Sequence, residues 1–407
     1  MLKHADAFAV FDRSGDLLPG GEEGLYYQGT RFLSHLVLLV DDRRPLLLSS
    51  TVKEDNALLV VDLTNPDYLS DGVIARPRDT VHVFRCSFLW KGVCYNSLRV
   101  HNYDLRPLEV SLELFFGADF ADVFEVRGAK RERRGAQLDP EVESRSVRLK
   151  YRGLDRTVRG ARIEFEPAPQ RVTGSRALFR DAILPQGERS YLFTVSCEVD
   201  GRAAAPRSFE VALEEAAEEL RADVARDAAI YTSNEQFNDW VNRSTADLRM
   251  MVTRTDAGPY PYAGVPWFST EFGRDGIITA LEYLWVNPEL ARGVLRYLAA
   301  TQATQTIPEQ DAEPGKILHE VRRGEMAVLG EIPFGRYYGS VDATPLFVIL
   351  AGAYYERTAD RPLIESIWPN IERALEWVAE RGDVDGDGFV EYARRSPKGL
   401  SVQGWKD

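Results

Sequence analysis

The apolar periodicity of this 407-residue chain changes once, near Pro206, and that single change requires two domains built on different principles. Ahead of it, short β-rich runs at 8–11, 32–40, 58–61, 81–84, 93–101, 108–116, 146–151, 162–165 and 191–197 alternate with turns of Gly, Pro, Asp and Asn. Runs of that length at that spacing predict an antiparallel β-sandwich over residues 1–205. The charge-dense stretch 129–145 reads as a solvated loop or hairpin tip. Beyond Pro206, Phe209, Leu213, Ala216, Leu220 and Val224 recur at three- and four-residue spacing with glutamates between them. This is an amphipathic helix, expected to link the domains across 206–232.

From 233 onward the chain reads as helical. Ser233 and Gln236 fit a capping box that opens a helix over 234–252. Further helices are expected at 275–286, 288–303, 340–357 and 362–380. Pro288 and Pro362 fall in first turns, where a missing N–H costs nothing, and Pro345 moves the start of its helix toward Asp342. The connections 253–274, 304–339 and 381–407 are long for a helical domain, and connections of that length usually carry function.

Charge narrows the class of partner. Fifty Lys and Arg against 63 Asp and Glu leave −13, with a pI near 5.1, which argues against nucleic acid or an anionic membrane as the main partner. No window approaches a membrane-spanning length of apolar residues. The start, Met1-Leu2-Lys3-His4-Ala5-Asp6, does not read as a secretory signal. Cys86, Cys94 and Cys197 are too few and too scattered for a disulfide framework or zinc site. A cytoplasmic compartment is the expectation.

The unusual residues sit in the three long connections. The first holds Tyr260, Tyr262, Trp267 and Phe268 ahead of Glu271-Phe272-Gly273-Arg274-Asp275. Aromatic faces stack on a pyranose, and an Arg with a carboxylate can bond neighbouring sugar hydroxyls. The plainer alternative is that Asp275 caps the helix and Arg274 pairs with it. The second holds Gly315 to Arg322, including His319-Glu320, which lacks the second His of a metalloprotease. It continues through Tyr337, Tyr338 and Ser340 to Asp342, where Ser340 is a good N-cap and Asp342 suits the positive helix end. The third holds Asp383, Asp385 and Asp387, which resemble the first half of a calcium loop; Arg394 stands where the bidentate Glu would be. An Asp- and Gly-rich turn without an ion is the favoured reading. The chain ends with Trp405 beside Asp407, and a ring that excludes water can keep such an acid protonated.

In that order these segments resemble the amylo-α-1,6-glucosidase family of glycogen-debranching-type glycosidases. Residues 24–34 resemble the family's opening segment, and 268–275, 315–325, 337–347 and 403–407 are the sharpest matches. The resemblance implies an N-terminal β-sandwich followed by the (α/α)6 barrel shared with glucoamylases and trehalases. It implies that Arg274 and Asp275 hold hydroxyls of a terminal glucose, with Trp267, His319, Glu320, Arg322, Tyr338, Asp342 and Trp405 around the same pocket. It makes Asp407 the general acid of an inverting hydrolysis of α-glucan branch linkages. A complete barrel needs twelve helices, whereas about five follow residue 233. No carboxylate here matches the family's general base. The sequence is therefore expected to hold the sandwich and the first half of the barrel (233–407), truncated, inactive alone and with apolar flanks exposed. The rivals are another barrel glycosidase of trehalase, mannosylglycerate hydrolase or rhamnosidase type, and a non-catalytic carbohydrate-binding protein.

Overall fold

The computed structural model describes residues 1–404. Its contacts divide the chain into two units, Met1–Leu220 and Arg221 onward, the division falling inside a helix.

The first unit is an antiparallel β-sandwich. One sheet has eight strands in the order Ala136–Val142, Ser146–Arg152, Val158–Glu166, Glu188–Val199, Val93–Asn102, Val81–Trp90, Leu59–Thr64 and Leu46–Val52. The facing sheet orders Arg171–Val172, Arg176–Ile183, Leu108–Gly117 and His35–Val40. The two share one core, in which Leu38, Val83, Leu112, Ile163 and Tyr191 are buried together. His35–Val40 alternates buried and half-buried residues, as a strand with one wet face must. Val81–Trp90 begins with the same alternation and then buries every residue from Arg85 to Trp90.

The reason lies in the first long helix, α1 (Phe209–Val224). Phe209, Leu213 and Ala216 pack with Ala212 against Phe88, Trp90, Val93 and Tyr95 on the outer face of the large sheet. Phe88 stacks on Tyr95 at 4.9 Å and meets Phe209 edge-on at 5.1 Å. The amphipathic stripe predicted for a linker is thus spent, over its first turns, on closing the sandwich.

Two strand expectations are corrected. The apolar run 32–40 is broken at Ser34: Thr30–Leu33 belongs to a separate four-stranded sheet with Leu2–His4, Ala7–Val10 and Gly24–Tyr27. The charged stretch 129–145 contains a strand, Ala136–Val142, whose exposed side chains hide it among loop residues.

The second unit is helical: α2 (Glu235–Met251), α3 (Gly273–Glu282), α4 (Pro288–Thr301), α5 (Ala343–Thr358) and α6 (Arg361–Trp377), with Glu325–Val328 a single turn. α2 is capped by Asn234, whose side chain accepts from the Phe237 amide at 3.1 Å, rather than by Ser233. Pro345 sits in the first turn of α5, whose N-cap residue is Asp342 and not Ser340. Ile277 and Ala280 of α3, Val294 and Leu298 of α4, Phe347 and Leu350 of α5, and Leu363, Ile367 and Ile371 of α6 build the core. A hairpin that the periodicity does not predict, Val252–Thr255 with Gly258–Pro261, opens the first long connection. It lies close on α4 because Gly293 has no Cβ, which would stand 2.1 Å from the Pro259 carbonyl oxygen. Trp240 of α2 is 66% exposed and Trp368 of α6 51% exposed. Among the described residues, no helix is long and apolar enough to cross a membrane.

Candidate active site

Two of the three long connections meet as a small sheet. Phe272 pairs antiparallel with Glu320, and Glu320 with Tyr337. The Gly273 amide donates to the His319 carbonyl at 2.9 Å, the His319 amide to that of Tyr337 at 2.7 Å, and the Tyr337 amide to that of Glu320 at 3.0 Å. Gly273 makes this approach possible: a Cβ there would lie 1.8 Å from the Leu318 carbonyl oxygen. The arrangement lines 271–275 against 319–322 and 337.

The third connection is tied in by Asp311, a buried residue in the left-handed region (φ 49°) that no sequence signal marks. Its carboxylate accepts from the Arg395 amide at 2.5 Å and the Ser396 amide at 2.8 Å on one oxygen. On the other it accepts from the Tyr337 hydroxyl at 2.7 Å and the Gln403 amide nitrogen at 3.0 Å. The Val341 amide also donates to the Gln403 carbonyl at 2.9 Å, next to Asp342. Trp405 and Asp407 lie outside the described residues.

Arg274, at the start of α3, reaches a carboxylate far away in the chain. Its Nη1 donates to Asp342 Oδ2 at 3.1 Å, across 68 positions of sequence. Ser340 Oγ donates to the other oxygen of Asp342 at 2.6 Å and accepts from the Ala343 amide at 3.4 Å, so it still reaches the first turn of α5. Asp275 lies in the first turn of α3, with Phe272 as the N-cap residue. Burial pushes its carboxyl pKa up; Arg274 opposes this, and the neighbouring Asp342 carboxylate adds to the rise.

His319 is 8% exposed, edge-on to both Phe272 and Tyr337. Burial first, and the Arg274 guanidinium second, lower its pKa to about 4. The ring is therefore neutral near neutral pH. Its Nδ1 has no hydrogen-bond partner among the described residues, and its Nε2 stands 3.9 Å from a Glu320 oxygen. Glu320 accepts from Arg322 Nε at 2.7 Å. Arg322 reaches the Trp267 carbonyl at 2.9 Å and lies over the Phe272 ring. Glu271, fully buried, takes Arg323 in a two-pronged contact at 2.5 and 3.0 Å. Neither Asp311 nor Glu271 has a spacing signal in sequence, because the partners of both are distant in the chain.

Not every predicted residue reaches this cluster with a free group. Tyr338 is a core residue whose hydroxyl donates to the Thr301 carbonyl at 2.6 Å. Tyr260 and Tyr262 are also core, the Tyr260 hydroxyl donating to the Phe272 carbonyl at 2.8 Å. Of the other two aromatics, Trp267 is half-buried and Phe268 is exposed, with its ring against Phe272. Asp383, Asp385 and Asp387 converge elsewhere with Glu391, the four ligand atoms all lying within 4.8 Å of one another. Glu391, the ninth residue of that loop, has no place in the sequence expectation. All four carboxylates accept amides of their own loop, such as Gly386 on Asp383 at 2.8 Å and Val384 on Glu391 at 2.8 Å, which fits the plain Asp-Gly turn.

Residues 2–194 match the family model described as the N-terminal domain of (some) glycogen debranching enzymes. No curated protein matches the chain. Among solved structures, a putative kojibiose phosphorylase from the human microbiome superposes with a TM-score of 0.60 at 10% identity, over 92% of this chain and 56% of its own. The chain thus spans a little over half the length of that relative. A bacterial glucoamylase complexed with acarbose matches at TM-score 0.45 and 10% identity, over 99% of this chain and 72% of its own. At such identities the likeness shows the fold alone. The β-sandwich region is thus similar to the N-terminal domain of some glycogen debranching enzymes, and the chain shares its fold with the phosphorylase structure.

Proposed function

We propose that the helical unit grips the terminal glucose of an α-glucan and that the protein hydrolyses α-glucosidic branch linkages. The observation that supports this best is the Arg274–Asp342 pair with the Asp275 carboxyl beside it, at the N-terminus of α3 and next to the joined connections. Arg274, fixed by Asp342, donates to one hydroxyl, and Asp275 accepts from the next, so that the pair reads two adjacent positions of a sugar ring. His319, neutral, offers one N–H or one lone pair without a charge. Glu320 and Arg322 hold the wall behind it, and Trp267 supplies the apolar face. Tyr338 acts through the chain it anchors. Asp407 is the proposed general acid of an inverting mechanism, on the strength of the family resemblance.

The test is glucose release from a glycogen limit dextrin by a version that carries a complete barrel, by the same version with Asp275→Asn, and by the present chain alone. The expectation is release by the first, a loss in kcat/KM of about a hundredfold or more in the variant, the scale for a group that strengthens its bonds in the transition state, and none by the chain alone. Unchanged turnover in the variant overturns the site. The phosphorylase likeness favours a second reading, in which inorganic phosphate replaces water. Sugar phosphate formed only when phosphate is supplied would select it.

A further inference from the structure

Residues 391–404 contain neither helix nor strand, so no regular ladder of main-chain bonds fixes their course. One carboxylate does most of that work. Asp311 takes the Arg395 and Ser396 amides on one oxygen and the Gln403 side chain on the other. The Tyr337 hydroxyl, which donates to that second oxygen, accepts in turn from the Leu400 amide at 2.8 Å. Positions 395, 396, 400 and 403 thus converge on a single acid. Asp311 is itself held firmly: its amide donates to the Pro308 carbonyl at 3.1 Å, and its carbonyl accepts from the buried Lys316 Nζ at 3.0 Å. The segment closes directly on the carboxylate at Gly399, where a Cβ would stand 2.6 Å from Asp311 Oδ2 and 2.6 Å from the Tyr337 hydroxyl oxygen. The Val341–Gln403 main-chain bond adds one more point of hold. The ties from Arg395 to Glu313 and from Lys398 to the Gly330 carbonyl start from exposed side chains, and such contacts are weak in water.

We propose that Asp311 is a positioning residue for the proton-donating step: through Gln403 and Tyr337 it sets the segment that leads to Asp407 against the wall carrying His319 and Glu320. This rests on the function proposed above, in which Asp407 protonates the leaving oxygen. Gln403 stands four positions ahead of Asp407 in sequence. Tyr337 belongs to both sides. Its main chain pairs with Glu320, its ring meets His319 edge-on, and its hydroxyl closes on Asp311.

Asp311 acts only through these neighbours. It is 2% exposed, and each of its carboxylate oxygens already accepts two bonds, so it neither binds a sugar hydroxyl nor exchanges a proton with one. The sugar-gripping pair is held separately, Arg274 at the start of α3 and Asp342 by the Ser340 hydroxyl. Loosening Asp311 therefore disturbs the placement of the acid and leaves the grip on the terminal glucose intact. Misplacing a reacting group by about 1 Å is enough to cost about a hundredfold in rate.

The experiment uses Asp311→Asn. The variant keeps the shape and leaves one oxygen for the Arg395 and Ser396 amides, but turns an NH2 group toward the Tyr337 hydroxyl and the Gln403 amide nitrogen, both donors. Two substrates are compared in the version with a complete barrel. A branch oxygen must take up a proton as it leaves, whereas the fluoride of α-glucosyl fluoride departs as an anion and needs none. Asp311→Asn should lower kcat on limit dextrin about tenfold to a hundredfold with KM held within about twofold. It should lower turnover of the fluoride by no more than about threefold. Tyr337→Phe should act in the same direction but less, and the double variant should lose less than the product of the two, because both work through one carboxylate. In the present chain, trypsin should cut after Arg395 and Lys398, both exposed, sooner in Asp311→Asn than in the parent, and ahead of other sites in the helical unit. Equal losses on the two substrates, as general unfolding would give, overturn the proposal. So does a raised KM at unchanged kcat, or a cutting pattern identical to the parent's. A parent that turns over neither substrate overturns the proposed function itself, and this proposal with it.

Discussion

Arg274 and Asp342 stand 68 positions apart and are joined by a 3.1 Å contact, although Asp275 is the carboxylate next to Arg274 in sequence. Adjacent residues near a helix start diverge around its axis, so the partner is set by tertiary structure and no spacing can reveal it. The consequence for Asp275 is a carboxyl kept partly from water beside a second carboxylate, with a raised pKa, an arrangement that costs stability and is common where chemistry is done. His319 carries the clearest pH signature. The unfolded chain takes up its proton near the ordinary histidine value, about 6.5, while the folded chain resists until about 4. Between those values the unfolded state binds more protons, so stability falls as the pH drops through that window. The loss is about 3 kcal/mol at most. His319→Gln should remove that share of the acid dependence, and comparing urea midpoints at neutral and acid pH in parent and variant checks it. An unchanged difference between the two pH values would contradict the assignment of a buried neutral ring. At this scale the residue types of the site are legible in sequence: Arg274, Asp275, His319, Glu320 and Asp342 all stand out there. Their pairings do not: Glu271 is visible only as part of its segment, without its Arg323 partner, and Asp311 escapes notice because it is defined by chain segments far away.

At the scale of elements, the helices are the more legible half. Pro288 and Pro362 mark true first turns, and α2, α4, α5 and α6 lie within a few residues of their expected spans. Their apolar stripes face one core, so period and packing agree. Strands fail where exposure defeats the pattern: Leu46–Val52 and Ala136–Val142 are edge strands with little to bury. The long connections are recognisable as important but not as ordered. What orders the first two is main-chain bonding between segments, which depends on the absence of a side chain at Gly273; what ties in the third is the Asp311 carboxylate. Gly273→Ala should therefore be severe, because its Cβ would collide with a carbonyl oxygen that is fixed in the sheet. A destabilisation of the helical unit by about 3 kcal/mol or more is expected, read as a shift in its denaturant midpoint; a shift near zero would mean that the two segments can separate freely.

For the molecule as a whole, the boundary between units matters more than either unit's details. Composition change at Pro206 places the end of the sandwich at residue 205, yet Phe209, Ala212, Leu213 and Ala216 complete its outer layer. A chain ending at residue 205 should uncover Phe88 and Trp90, and one ending at 220 should not. The shorter form is expected to melt at least about 5 °C lower, in line with the loss of several buried apolar side chains; equal melting temperatures would show that the helix only rests on the sheet. The same unit holds every cysteine of the chain, and Cys86, Cys94 and Cys197 are all free and buried. Burial raises Cys86 and Cys94 to about 11 and lifts Cys197 well above the usual thiol value, so little thiolate forms while the sandwich is closed. They also form a natural clock: a thiol reagent applied under native conditions reports each opening of the sandwich and is silent to the helices, so the two halves of one chain can be timed separately without a label.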